Sequence, residues 1–347
     1  MAAVDSFHLL FRQISAVFSD IRDAFAVIGA YYVAKKSLNV ASHVADAVYV
    51  YLYSKVAEEV DLREKFGPWA VVTGSSDGIG KAYAFELASR GLNIVLISRG
   101  EAKLKRTKQE IEKDFAVKVE FITVDFAGDE GVYDTIWEGL AGKEIGILVN
   151  NVGVMYDYPQ MFLDVPEKKL WQLIYVNVAA ATVMTRMVLP EMVKRNRGAI
   201  VNVSSGSCAQ ITPQMTVYAA TKTYLDYFSR ALEFEYRDNG ITVQCLMPFY
   251  VATRMTRYSE TLSKTSFFIP SAATFARSAV RTLGYSSRTT GYFPHTIQQW
   301  VSNICPEWLW KRAASRLNAA LREQAKRRLA RKRHMTPSAS GQSLSSE

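Results

Sequence analysis

Tyr218 and Lys222 stand four residues apart in the segment VYAATK, residues 217–222. On a helix that spacing puts a phenol and an ammonium on one face. A close ammonium favours phenolate and lowers the tyrosine pKa from about 10 toward working pH. A phenol so tuned exchanges a proton with a substrate oxygen. Ser205, 13 residues before Tyr218, adds a hydroxyl able to hydrogen-bond and polarise a carbonyl. Spacing alone does not single this pair out. Tyr-x-x-x-Lys recurs at Tyr31/Lys35, Tyr32/Lys36 and Tyr51/Lys55, and Ser19 stands 13 residues before Tyr32. The elements that hold the residues must decide.

Residues 67–300 alternate short apolar runs with segments long enough for crossover helices. The runs are WAVVTG, NIVLISR, VEFITVD, IGILVNN, AIVNVSS and TVQCLM. They are rich in Val and Ile, and several lack polar alternation, as strands buried on both faces do. The β-α-β-α pattern predicts an α/β fold: a Rossmann-type doubly wound parallel sheet with helices on both faces. Ser205 ends one of these runs, so its hydroxyl should project at the carboxyl edge of the sheet, where ligands collect. The N-terminal Tyr-x-x-x-Lys copies precede every such run, and Ser19 lies in none. Tyr218, Lys222 and Ser205 are therefore the predicted catalytic set.

The first run passes directly into SSDGIGKAYAFELASRG. Gly74 allows a tight strand-to-helix turn, Gly78 lets the backbone approach a pyrophosphate, and Gly80 lets the helix press on the sheet. The helix N-terminus then offers free N–H groups to phosphate. The second run ends at Ser98-Arg99, with no acidic residue for a ribose 2′-hydroxyl. A guanidinium suits a 2′-phosphate, so NADP(H) is expected over NAD(H). Asp125, ending the third run, either meets the adenine or is a turn residue.

These motifs resemble the short-chain dehydrogenase/reductase family. TGSSDGIG (73–80), NNVG (150–153), Asn177 in VNVAAA, VNVSSGS (201–207) and YAATK (218–222) occur in that family's order. NNVG and PFYVATRM (248–255) look like its branch of 17β-hydroxysteroid dehydrogenases and 3-oxoacyl-CoA reductases. The resemblance implies hydride transfer between NADP(H) and a small lipophilic carbonyl or alcohol, steroid- or acyl-like, with Tyr218 donating or accepting the proton. It implies a nicotinamide-ribose bond from Lys222 and a water-mediated proton relay at Asn177. Cofactor contacts are implied for Gly74, Ser75, Ser76, Asp77, Gly78, Ile79, Gly80, Arg99, Asp125, Asn151, Tyr218, Lys222, Val251 and Thr253. A homodimer paired through helices and a mitochondrial location are further implications, with the endoplasmic reticulum membrane as the alternative location. Some members of the subgroup carry Phe at the tyrosine position and are regarded as inactive; this chain has Tyr218. Pro248-Phe249 stands where many members read Pro-Gly, which implies a narrower space near the nicotinamide.

Composition limits the alternatives. Three cysteines and four histidines in 347 residues, without metal-ligand spacing, point to a reducing compartment and to no metal site. The formal charge of +9 lies in residues 311–334, which hold ten Lys/Arg and one Glu, so the rest of the chain has no excess to offer nucleic acid. Leu317, Leu321, Ala325 and Leu329 recur there at helical spacing. Residues 301–347 therefore read as a basic amphipathic helix, lying on an anionic membrane surface or solvated. A disordered end, TPSASGQSLSSE, follows. Residues 1–66 read as an apolar extension, cut by Lys35-Lys36 into runs shorter than the ~18–20 residues of a bilayer-spanning helix. Either a membrane-seated hairpin or a helical pair packed on the protein is expected.

Overall fold

The structure, a computed structural model, describes residues 2–57 and 60–335. The end expected to be disordered lies outside the described residues, as do the side chains of Ser19 and Lys55. The chain divides into two compact units, Met1–Tyr53 and Ser54–Glu347.

The first unit is one continuous helix, α1 (Ala2–Val48), continued by a π-helical turn, Tyr49–Tyr53. This corrects both sequence readings, the hairpin and the helical pair. The reason is local: α1 contains no proline, its only glycine is Gly29, and lysine is a good helix former. Lys35-Lys36 marks a change in composition and does not turn the chain. The division also falls earlier than residue 66. Leu62 and Phe66, one turn apart in a short helix capped by Asp61, are buried in the core of the second unit.

The second unit holds a seven-stranded sheet in the order β3-β2-β1-β4-β5-β6-β7, every pairing parallel. The strands are β1 (Trp69–Thr73), β2 (Asn93–Ser98), β3 (Val119–Thr123), β4 (Ile145–Asn150), β5 (Gly198–Val203), β6 (Ile241–Leu246) and β7 (Arg288–Thr289). Its longer helices are α2 (Gly78–Ser89), α3 (Glu101–Asp114), α4 (Val132–Leu140), α5 (Glu167–Ile174), α6 (Ala180–Lys194), α7 (Thr216–Tyr236), α8 (Ala272–Arg281), α9 (Phe293–Ile304) and α10 (Glu307–Met335). The doubly wound architecture is as the sequence predicts, with one addition: β7, two residues long, carries no apolar run to announce it.

Strand side chains alternate between two cores, as the pleat requires. Ala70, Val72, Ile94, Leu96, Ile147 and Val149 face α2, α3 and α8, while Val71, Val95, Ile97, Leu148 and Ile200 face α4, α6 and α7. Both sets are buried, which is why the strands read as unbroken apolar runs. Among the described residues, one helical stretch, Glu167–Lys194, is long and apolar enough to cross a membrane, and half of it is buried in this fold. The strand order reverses between β1 and β4, which opens a crevice at the carboxyl edge.

Candidate active site

The loop from β1 to α2 forms one wall of that crevice. Gly74 has φ +66° and Gly78 φ +58°, a region that only glycine enters readily. A Cβ on Gly74 would lie 2.9 Å from Val152 Cα, and one on Gly80 would lie 2.3 Å from Asn151 Nδ2 and 2.5 Å from the Gly74 carbonyl oxygen. The glycines are thus required by close backbone approach. Asp77 caps α2, its carboxylate accepting from Gly78 N–H at 2.7 Å and facing Arg254 at 3.4 Å. Asn151 is spent on the scaffold: its Nδ2 donates to the Thr73 carbonyl at 2.9 Å and ties the end of β4 to β1.

A cleft of about 260 Å³ follows, lined by Gly74, Ser76, Ile79, Ser98, Arg99, Asp125, Asn151 and Thr253 among others. Ser76 and Ser98 hydroxyls are 2.9 Å apart. Asp125 is a turn residue, its Oδ1 accepting from Ala127 N–H at 3.1 Å, and its Oδ2 pairs with Arg99 at 3.6 Å. No carboxylate ends β2. The glycine cradle leaves room for the backbone to approach a dinucleotide pyrophosphate.

At the nicotinamide end of the crevice the structure brings together Ser205, Tyr218, Lys222, Ile79, Asn151, Val251 and Thr253 around one cavity of about 520 Å³. Ser205 follows the end of β5, and its hydroxyl shares the cavity with the Tyr218 phenol and accepts from Ser207 N–H at 3.2 Å. Tyr218, in the first turn of α7, is 8% exposed. Lys222 is buried beneath it, Nζ donating to the Val203 carbonyl at 2.9 Å. Its own carbonyl accepts from Ser204 Oγ at 2.6 Å, so α7 is fixed to the end of β5 twice.

The proton chemistry differs from the sequence expectation. Burial pushes the Tyr218 phenol up to about 12, against the lowering hydrogen bond from Ser205; nearby Tyr250 and Cys208 add to the rise. Burial also lowers Lys222 to about 8. Burial, the largest cause of the shift, outweighs any lowering of the phenol by a nearby ammonium. Burial thus favours the neutral phenol of Tyr218.

Asn177 lies apart from the cavity lining. It is 1% exposed, in a π-helical turn (Tyr175–Ala179) between α5 and α6. Its Nδ2 donates to the Val154 carbonyl at 2.9 Å and to Thr221 Oγ1 at 3.0 Å, and Oδ1 accepts from Val154 N–H at 2.8 Å. Both of its N–H donors are used, so the side chain joins the loop after β4 to α7.

Two features were missed from sequence. Tyr250 and Tyr258 line the cavity, and burial raises both phenols. Phe249 lines it as well, as the sequence reading expected. The C-terminal helix α10 forms its far wall with Trp310, Ala313, Ala314, Leu317 and Asn318, one face of a helix. That helix is docked: Leu321 and Ala325 are buried, Asn318 Nδ2 donates to the Pro213 carbonyl at 2.8 Å, and Gln214 Nε2 donates to the Ser315 carbonyl at 3.1 Å. Part of the stripe read as membrane-facing or solvated thus belongs to the fold, while Leu317 and Leu329 remain about half exposed. The helical period was legible; the surface it packs on was not.

The fold, the glycine cradle and the Ser-Tyr-Lys set define an oxidoreductase of the short-chain class: the family model for short chain dehydrogenase matches residues 68–263, and the chain belongs to the short-chain dehydrogenase/reductase family. It is similar to the Homo sapiens protein named Inactive hydroxysteroid dehydrogenase-like protein 1, 50% identical over 325 residues, 94% of this chain and 98% of the relative. It is also similar to Very-long-chain 3-oxoacyl-CoA reductase of Macaca fascicularis, 44% identical over 298 residues, 85% of this chain and 93% of the relative. Among solved structures it is similar to a short-chain dehydrogenase from Sphingobium yanoikuyae in complex with NADPH, with 28% identity and a TM-score of 0.56 over 61% of this chain and 83% of that one.

Proposed function

We propose that the protein is an NADP(H)-dependent oxidoreductase that interconverts a ketone and a hydroxyl on a lipophilic, steroid- or acyl-like substrate. The observation that carries this reading is the convergence of Ser205, Tyr218 and Lys222 on one cavity that is otherwise walled by apolar side chains such as Met155, Met215, Phe249 and Leu317. The cofactor supplies or takes the hydride. Ser205 hydrogen-bonds the substrate oxygen, and Tyr218 gives it the proton as the carbonyl is reduced. In this reading Lys222 stabilises the phenolate left when Tyr218 gives up its proton, and bonds the cofactor ribose. Arg99 and Ser76 favour the 2′-phosphate, in line with the NADPH bound by the Sphingobium relative. A panel of ketones, steroids and 3-oxoacyl thioesters with NADPH tests this. Turnover lost in Tyr218→Phe with NADPH binding kept is the expected result, and full activity in that variant rules the role out.

A second reading, a cofactor-binding protein with little catalysis, is favoured by the name of the human relative. NADPH binding without turnover on the whole panel would select it.

A further inference from the structure

Between β6 and α8 the chain makes an excursion from Phe249 to Phe268. It supplies Tyr250, Val251, Thr253, Met255 and Tyr258 to the cavity. Both of its ends meet one imidazole. His295, in the first turn of α9, is 0% exposed. Phe249 N–H donates to its Nδ1 at 3.3 Å, and its Nε2 lies 3.2 Å from the Phe268 carbonyl oxygen. A carbonyl can only accept, so Nε2 carries the hydrogen and Nδ1 is the bare acceptor. The two backbone groups select the same tautomer. The ring also packs on Phe249, Phe275 and Tyr292, with centroids 5.9, 6.0 and 5.2 Å away.

Phe249 passes this constraint on to the site. Its ring lies so close to Gly206 that a Cβ there would stand 2.8 Å from it, and Gly206 N–H donates to the Pro248 carbonyl at 2.8 Å. Gly206 adjoins Ser205. The bulky residue after Pro248 is thus accommodated by a glycine opposite and fixed from behind by His295.

We propose that His295 is a positioning residue: it latches both ends of the Phe249–Phe268 excursion and holds Phe249 against Gly206, which sets the place of Ser205 and the width of the cavity. Its effect on turnover rests on the oxidoreductase reading above; the latch itself is measurable without turnover.

The test uses the full chain with three substitutions. His295→Asn keeps an acceptor near the Nδ1 position and loses the Phe268 contact. His295→Gln reaches toward Phe268 and loses the Phe249 contact. His295→Leu keeps bulk and loses both. Amide hydrogen exchange over 249–268 is the first readout, and ketone reduction kinetics the second. In the Leu variant exchange should quicken about tenfold, the loss of roughly one net hydrogen bond. Asn should restore protection at Phe249 and Gln at the Phe268 end. The ketone KM should rise with Leu and return toward the native value with Asn, a rescue that a merely space-filling ring would not show. Wild-type protection in the Leu variant overturns the proposal. If the Leu variant does not fold, identical exchange patterns in the Asn and Gln variants overturn it, and opposite patterns support it. If no ketone is turned over by the native protein but the Leu variant still loosens 249–268, the latch stands and the oxidoreductase reading fails.

Discussion

Helices α1 and α7 each carry a tyrosine with a lysine one turn further on, and locally the pairs are alike. Lys35 Nζ lies 5.9 Å from the Tyr31 ring centroid, Lys36 Nζ 5.8 Å from that of Tyr32, and Lys222 Nζ 5.9 Å from that of Tyr218. Surroundings separate them. Tyr31 and Tyr32 are 66% and 60% exposed, while Tyr218 is 8% exposed. In water the charge of a nearby lysine is screened and its hydrogen bonds are supplied by solvent. Around Tyr218 those roles pass to Ser205 and the Val203 carbonyl. The helix dictates the distance between phenol and ammonium; the tertiary fold decides whether that distance has chemical consequences.

The sharpest way to break the comparison is to remove one hydroxyl. Tyr218→Phe should lower kcat by about 10²–10⁴-fold, the usual contribution of a positioned acid, with NADPH affinity unchanged by fluorescence titration. Tyr31→Phe and Tyr32→Phe should leave the rate as it was, and a comparable loss in either would put the site in the wrong helix. Next comes the lysine. Lys222→Met leaves the buried Val203 carbonyl without its partner and should cost about 1–3 kcal/mol in urea unfolding. Lys35→Met and Lys36→Met, on the surface, should stay within about 0.5 kcal/mol of the native protein.

Glycine gives a subtler contrast. Gly80→Ala drives a methyl into Asn151 and the Gly74 carbonyl, so NADPH binding should weaken together with about 1–3 kcal/mol of stability. Gly29, with nothing within 4 Å of its added Cβ, should take Ala with a gain of up to about 1 kcal/mol in α1. A last contrast concerns pH. Lys222 titrates near 8 in the folded chain against 10.5 unfolded. Between these values the unfolded chain holds a proton that the folded chain has released, so stability should rise with pH across that window. Urea midpoints from pH 7.5 to 10.5 check this, and Lys222→Met should flatten the slope.

Five strands were legible because they are buried on both faces and so read as nearly uninterrupted apolar runs, while edge strand β3, with Glu120 and Thr123 exposed, was legible from its Val, Phe and Ile. β7 was not: Arg288–Thr289 is an edge pair whose arginine bonds Asp226 of α7 at 2.8 Å, a tertiary contact with no local signature. The phosphate loop and the Ser-Tyr-Lys set were legible because backbone approach and helix spacing limit which residues fit. The Tyr218 pKa was misjudged because spacing reports that a lysine is near and not how dry its surroundings are. His295 gave no signal at all, since what it binds are backbone groups 27 and 46 residues away.

The far wall of the cavity has a consequence in time. A ribosome finishes the glycine loop and all seven strands before it begins α10, so the dinucleotide cleft can form while the substrate chamber still lacks Trp310, Ala313, Ala314, Leu317 and Asn318. The wall that shapes the chamber is thus made late in synthesis, and a message cut short just before Glu307 should specify a protein that keeps the glycine-loop cleft beside an open trough.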